Sequence, residues 1–187
     1  MKKNIGTVCV HGKNRRKDTD KTGAVSFPIY QSATFVHPAF GESTGYDYSR
    51  LQNPTREEVE RIVNDLEEGV DAIAFSTGMA ALTVLLEMLA PGDNIVSTDD
   101  LYGGTIRLME NVLSKNGITT TFVETDNLKN VENALTEKTK MIYIETPTNP
   151  MMKVSDIHEI SKIAKKNNCI LVVDNTFLTP YFQKPLK

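Results

Sequence analysis

Residues 169–177 read CILVVDNTF: a run of apolar residues, then an acid, then polar residues. The run 170–173 has the pattern of a strand buried on both faces, as in a parallel sheet. Asp174 falls where that strand ends, on the rim where open α/β sheets bind ligands. A carboxylate there, desolvated on one side, calls for a cation or a strong donor. Three other segments carry polar chemistry at comparable places. Ser76-Thr77-Gly78-Met79 follows an apolar stretch and opens a helix. Free N–H groups and the helix dipole suit an anion there, and Gly78 lets a phosphate approach the backbone. Tyr102 stands between Asp99-Asp100-Leu101 and Gly103-Gly104-Thr105, free to lean a ring over the rim and stack on a planar ligand. Arg107, farther along, is able to grip a carboxylate with two N–H groups. Asn149 is held between Pro147 and Pro150 with an amide that both donates and accepts. Asn175 and Thr176 follow Asp174.

Each group has an ordinary reading too. Ser76–Gly78 fits a plain helix cap, Tyr102 a ring packed on its own loop, Arg107 a solvated helix charge, and Asn149 a turn residue. Together, the phosphate cradle, aromatic ring, amide and acid suit a planar, phosphorylated, cationic heteroaromatic. Neither a P-loop nor G-x-G-x-x-G is present, so nucleotide readings lack their motif.

The elements that must position these groups alternate. The spacing predicts strands over 72–75, 94–97, 119–123, 141–145 and 170–173. Helices are expected over 57–66, 79–89, 105–115, 128–135 and from a Ser155 cap to about residue 167. Thr55-x-x-Glu58 reads as a capping box and Gly69 as a stop. Strand–helix alternation of this kind means a parallel sheet covered on both faces, an α/β fold in three layers. Residues 1–55 differ: polar, punctuated by Gly and Pro, with scattered aromatics. They read as an irregular arm that packs on a neighbouring subunit, with the domain proper over 56–187.

The 187 residues, 40% hydrophobic and 24% charged with net charge −3, describe an ordinary globular chain. That charge does not point to nucleic acid, and no apolar run is long enough to span a membrane. The N-terminus lacks the apolar core of a secretion signal. Cys9 and Cys169 are expected as reduced thiols of a cytoplasmic protein, with a disulfide as the alternative. His11, His37 and His158 do not cluster, so no metal site is expected.

Five motifs occur in order: YSRLQNPTR at 48–56, STGMA at 76–80, DDLYGGT at 99–105, ETPTNP at 145–150 and VDNTF at 173–177. In these the chain resembles the fold-type I pyridoxal-phosphate enzymes, and within them the trans-sulfuration family of cysteine and methionine metabolism. That family includes cystathionine γ-synthase, the cystathionine γ- and β-lyases, O-acylhomoserine sulfhydrylases and methionine γ-lyase. The resemblance implies pyridoxal 5'-phosphate (PLP) as cofactor and elimination or γ-replacement on a small sulfur-containing or acyloxy amino acid. Cystathionine γ-synthase or γ-lyase chemistry fits best. It also implies a homotetramer built from dimers that share sites. By resemblance Gly78 and Met79 would hold the cofactor phosphate, with Ser76 beside them. Tyr102 would stack on the ring, and Asn149 would bond near its hydroxyl. Asp174 would pair with the ring nitrogen, with Thr176 a further cofactor contact. Tyr48 and Arg50 would reach a neighbouring subunit's phosphate. Arg50, Tyr102 and Arg107 would lie near substrate, and Tyr102 and Asp174 would be the catalytic groups. Gly104 stands where well-known methionine γ-lyases carry a cysteine, which weakens that option.

One expected residue has no counterpart. The family's lysine that holds the cofactor covalently follows the VDNT motif in a Ser-x-x-Lys-type context, whereas Lys184 and Lys187 sit in QKPLK and read as solvated surface residues. The chain is therefore expected to be the N-terminal portion of such an enzyme, with an exposed sheet edge. The alternatives are a non-catalytic PLP- or phosphate-binding remnant, or an interaction protein that pairs with full-length subunits. By itself the 187-residue chain is expected to show no turnover of cystathionine. Measurable turnover, or a borohydride-reducible cofactor adduct on one of its lysines, would refute this.

Overall fold

The computed structural model describes residues 3–13 and 23–187. They fall into two compact units, one running to Ala74 and including Leu186–Lys187, the other Phe75–Pro185.

The second unit is built on a fully parallel four-stranded sheet. Its strands are β1 (Asn94–Thr98), β2 (Thr119–Val123), β3 (Thr139–Glu145) and β4 (Ile170–Asp174), in the order β2-β1-β3-β4. The chain steps from β1 outward to β2, then crosses to the other side of β1 to lay down β3. The C-terminal ends of β1 and β3 thus flank a topological switch point.

Period-two alternation sends successive β3 residues to opposite faces. Met141 and Tyr143 enter one core with Ile95, Leu82 and Leu86 of α3 (Gly78–Leu86), and Leu108 and Met109 of α4 (Gly103–Asn111). Ile142 and Ile144 enter the other with Val96, Val131 of α5 (Leu128–Ala134), and Ile160 and Ala164 of α6 (Ile157–Lys166). Two helix layers therefore cover the sheet, as the alternation of elements requires. Among the described residues no helix is long and apolar enough to cross a membrane. Cys9 and Cys169 are both free thiols.

Several local expectations are corrected. Residues 72–75 form no strand: they join no ladder, Ile73 is exposed, and the Ala74 N–H donates to Glu60 Oε1 at 2.9 Å. A strand needs a partner, and none of the four strands pairs with this stretch. The Ser76–Met79 segment therefore follows an unpaired stretch rather than a strand end. The run 170–173 is not buried on both faces either. As β4 it pairs only with β3 at the sheet edge, so its residues are half-buried or exposed. Ser155 does not cap α6. Asp156 does, accepting from the Glu159 N–H at 3.0 Å, while Ser155 is buried against Thr125.

In the first unit, α1 (Ile5–His11) is a short helix where an irregular arm was expected. It packs on α2 (Pro54–Glu67), with Arg61 Nη2 donating to the His11 carbonyl at 3.2 Å and the Lys13 N–H to Asp65 Oδ2 at 2.7 Å. The Thr55 capping box does not form. Asn53 caps α2 by accepting from the Thr55 N–H, and Thr55 Oγ1 instead accepts from the Tyr30 N–H. The stop falls on Glu68, whose φ of 60° is left-handed, one residue before Gly69. Residues 23–53 hold an isolated Thr34–Tyr48 bridge and expose Val25, Ile29, Val36 and Phe40.

Ile142 is fully buried on the α5/α6 face of β3. Ile142→Ala is expected to lower stability by about 2–5 kcal/mol through lost burial and the cavity left behind, read as a fall in the urea-unfolding midpoint.

Candidate functional site

Both ends of the candidate site are set by backbone geometry. At one end α3 begins. Thr77 caps it, its Oγ1 accepting from the Ala80 N–H at 3.0 Å and its carbonyl from the Ala81 N–H. The N–H groups of Gly78 and Met79 have no protein acceptor among the described residues. Nothing lies within 4 Å of where a Gly78 Cβ would stand. Two free donors at the positive end of a helix, beside open space, suit an anion.

At the other end β3 and β4 finish together. Glu145 stands opposite Asp174 in the parallel register, and Tyr143 opposite Val172. Tyr143, Glu145 and Asp174 therefore share the α3/α4 face. Asp174 Oδ1 accepts from the Thr176 N–H at 3.0 Å and from Thr176 Oγ1 at 2.5 Å. Its Oδ2 accepts from the Tyr143 phenol at 3.0 Å.

Between these ends lies a cleft of about 360 Å³, within the usual range for small-ligand pockets. Thr77, Gly78, Met79, Tyr102, Asn149, Asp174 and Thr176 all line it. Leu82 and Phe177 make part of its wall apolar.

Glu145 organises the rim. Its Oε2 accepts from the Tyr102 N–H at 3.0 Å and its Oε1 from the Asn149 N–H at 2.8 Å. One carboxylate thus clips the loop after β1 to the loop after β3, across the switch point. Gly104 lets Tyr102 lie where it does. A Cβ at Gly104 would come 2.4 Å from Tyr102 Cε1 and 3.1 Å from Met79 Sδ, so any side chain there displaces the ring. In the loop after β3, Thr148 Oγ1 donates to Asp100, which also accepts from the Met151 N–H at 2.9 Å.

Burial pushes the Glu145 carboxyl above its ordinary value. The Tyr102 and Asn149 N–H groups pull it back, while the charges of Asp174 and Asp100 push it up further. Burial, with Asp174 second, drives the Tyr143 phenol far above its ordinary value, so it stays protonated and serves as a donor.

The structure thus brings Gly78, Met79, Tyr102, Asn149, Asp174 and Thr176 together. Ser76 is exposed just before α3 and does not line the cleft. Arg107 is exposed on α4, outside the lining. Tyr48 and Arg50 belong to the first unit, where the Arg50 guanidinium sits 5.0 Å from the Tyr48 ring centroid. Tyr143 and Glu145 were missed by sequence reasoning. The signal was a tyrosine and a glutamate two apart in the apolar run 141–145, one period-two face carrying polar groups into the core.

Residues 6–187 match the family described as Cys/Met metabolism PLP-dependent enzyme. The chain belongs to that family. It is 51% identical over 180 residues to cystathionine gamma-lyase of Bacillus subtilis (strain 168), covering 96% of this chain and 47% of that protein. Cystathionine beta-lyase of Lactococcus lactis subsp. cremoris (strain MG1363) is 49% identical over 183 residues, 97% of this chain and 47% of that protein. Among solved structures, a cystathionine gamma-lyase from Lactobacillus plantarum complexed with L-serine superposes with TM-score 0.91 at 43% identity. The superposition covers 98% of this chain and 48% of that one. The chain therefore spans about half the length of the curated relatives it matches. As a member of this PLP-dependent family it has the expected α/β fold with a parallel sheet, and its cleft can be tested against the cofactor that defines the family.

The residues fit. The two free N–H groups and the open space at Gly78 suit the phosphate, the half-exposed Tyr102 ring offers a stacking face, and Asp174 supplies an anion for a positively charged ring nitrogen.

The raised Glu145 value has a testable sign. A carboxyl with a raised folded-state value contributes stability that is full below its unfolded value, about 4.5, and is lost as pH rises through the folded value. The stability advantage of the wild type over Glu145→Gln is therefore expected to be largest below about pH 4.5 and to shrink as pH climbs past that raised value. Urea unfolding of both proteins across a pH series checks this. An advantage that grows with pH would mean the two N–H bonds outweigh burial.

Proposed function

We propose that this chain forms the PLP-holding cleft of an enzyme that carries out elimination or γ-replacement on sulfur-containing or acyloxy amino acids. Cystathionine and O-acylhomoserine are the substrate types, and cystathionine γ-lyase or γ-synthase chemistry is favoured. One observation carries the reading: donors for an anion at the α3 N-terminus and the Asp174 carboxylate, a site for a cation, line the same cleft as the Tyr102 ring.

In this reading the Gly78 and Met79 N–H groups hold the phosphate, Tyr102 covers the ring, Asn149 bonds at its edge, and Asp174 faces its nitrogen. PLP supplies, when bound, an electron sink for charge that develops at the substrate Cα. The protein's own residues orient and charge-match it. Asp174, fixed by Thr176 and Tyr143, presents its carboxylate to the ring nitrogen. Tyr102 is held by its own N–H on Glu145, so its ring keeps its place while the side chain stays half-exposed for contact with substrate.

The exposed apolar residues of the first unit, Val25, Ile29, Val36 and Phe40, support its packing on a second subunit. Tyr48 and Arg50 would serve that subunit's phosphate, and the assembly would be a homotetramer of site-sharing dimers.

Titration of the purified chain with PLP, followed by cofactor absorbance, is expected to saturate and to be competed by inorganic phosphate. Asp174→Asn is expected to weaken binding by about tenfold or more, the scale of a lost charge-assisted bond. Binding that phosphate does not compete, or that Asp174→Asn leaves unchanged, would overturn the assignment of the cleft. Thiol or keto-acid release from cystathionine by the full-length protein, against γ-replacement with O-acylhomoserine, decides the reaction.

A further inference from the structure

We infer that Tyr143 is a positioning residue, whose buried phenol fixes the Asp174 carboxylate toward the ring nitrogen of the bound cofactor. The inference rests on the reading of Asp174 given above and extends it to a residue outside the cleft.

Tyr143 is an unusual occupant of β3. Its neighbours Met141, Ile142 and Ile144 are fully buried and aliphatic, and Tyr143 itself is only 2% exposed. Phenylalanine would fill the same space with no hydroxyl to desolvate. A buried phenol persists without cost only where its O–H finds a partner. Here the partner is Asp174 Oδ2, at 3.0 Å. Register makes the contact possible: Tyr143 sits two residues before the Glu145–Asp174 pair on the same face, so its ring reaches diagonally up the sheet to the carboxylate.

The division of labour on Asp174 is clear. Thr176 occupies Oδ1 twice, through its N–H and its hydroxyl. Tyr143 is the donor to Oδ2. Thr176 alone ties the carboxylate to its own loop. Tyr143 ties it to the sheet and so fixes the plane in which its remaining lone pairs face the cleft. The groups that bear on the phenol electrostatically are Asp174 on β4 and Glu145 on β3, both acids, with Thr105 on α4 a second hydrogen-bonding neighbour. A neutral donor on Oδ2 supports the Asp174 carboxylate beside Glu145 without supplying a counter-charge. Burial and Asp174 keep the phenol protonated and hence a donor.

The test separates an action through the ring nitrogen from a merely structural one. Two probes are titrated into the full chain: PLP, and its 1-deaza analogue, in which C–H replaces the ring nitrogen. The wild type is expected to prefer PLP. Tyr143→Phe is expected to reduce that preference about fivefold, the scale of one net hydrogen bond, while affinity for the deaza analogue stays unchanged. Equal weakening of both probes, or no change in either, would overturn the inference, because a packing role does not distinguish them. Asp174→Asn serves as the reference. If it abolishes the preference while Tyr143→Phe leaves it at the wild-type level, Tyr143 has no positioning role. If Asp174→Asn keeps the preference, or the wild type shows none, the reading of Asp174 itself fails.

Discussion

The site depends on two carboxylates, those of Glu145 and Asp100, spanning a gap in the topology. Where the chain switches sides of β1, the loops after β1 and β3 leave the sheet in separate directions. Nothing in a parallel sheet joins such loops, because ladder bonds end with the strands. Glu145 joins them with one bond from each of its oxygens, to the Tyr102 and Asn149 N–H groups. Both bonds are charge-assisted and shielded from water, conditions under which they are stronger than neutral ones. The same burial that strengthens them penalises the charge, which is why the carboxyl is raised despite two donors. The rim is thus held by an interaction that the protein stabilises and strains at once.

The rest of the site hangs from β3 in the same way. Its inward face delivers Tyr143 and Glu145 in successive pleats, and its edge partner β4 brings Asp174 level with Glu145. Strand pairing, not loop conformation, sets the distance between these groups. The opposite pole is set by a helix start, where Thr77 absorbs some of the free N–H groups of α3 and leaves those of Gly78 and Met79. A cleft with donors at one pole and carboxylates at the other is electrically polarised along its length. A ligand with a phosphate at one end and a cation at the other is oriented by that polarity before any side chain contacts its reacting atoms.

Much of this was legible in the sequence, for identifiable reasons. Alternation of short aliphatic runs with helical spacing gave the α/β class, because period and length together separate strands from helices. Gly78, Tyr102, Asn149 and Asp174 stood out because polar or glycine residues followed apolar runs. What was missed required pairing information. Residues 72–75 look like a strand by composition, yet a strand exists only with a partner. The run at 170–173 looks doubly buried, yet β4 is an edge strand. Asn53 and Asp156 cap the helices for which Thr55 and Ser155 were expected. The choice turns on backbone geometry at single residues, which composition does not encode. Tyr143 and Glu145 were hidden inside a strand that reads as core, because the register that brings them to Asp174 is a property of two strands.

The gathering of acids at the strand ends follows from the same geometry and has a consequence for binding. Asp100, Glu145 and Asp174 lie close enough for Asp100 and Asp174 each to push the Glu145 carboxyl upward. Each has its own donors: Thr148 and the Met151 N–H for Asp100, the two loop N–H groups for Glu145, Thr176 and Tyr143 for Asp174. These donors hold the charges in place but leave their mutual repulsion uncancelled, because none of them is a cation. A positive group placed against Asp174 relieves that repulsion as well as forming its own pair. The rim is tightened by the same event: with Asp174 compensated, Glu145 is easier to keep ionised, and its two bonds to Tyr102 and Asn149 strengthen. A cation held against Asp174 would in this way reach the Tyr102 and Asn149 bonds through Glu145.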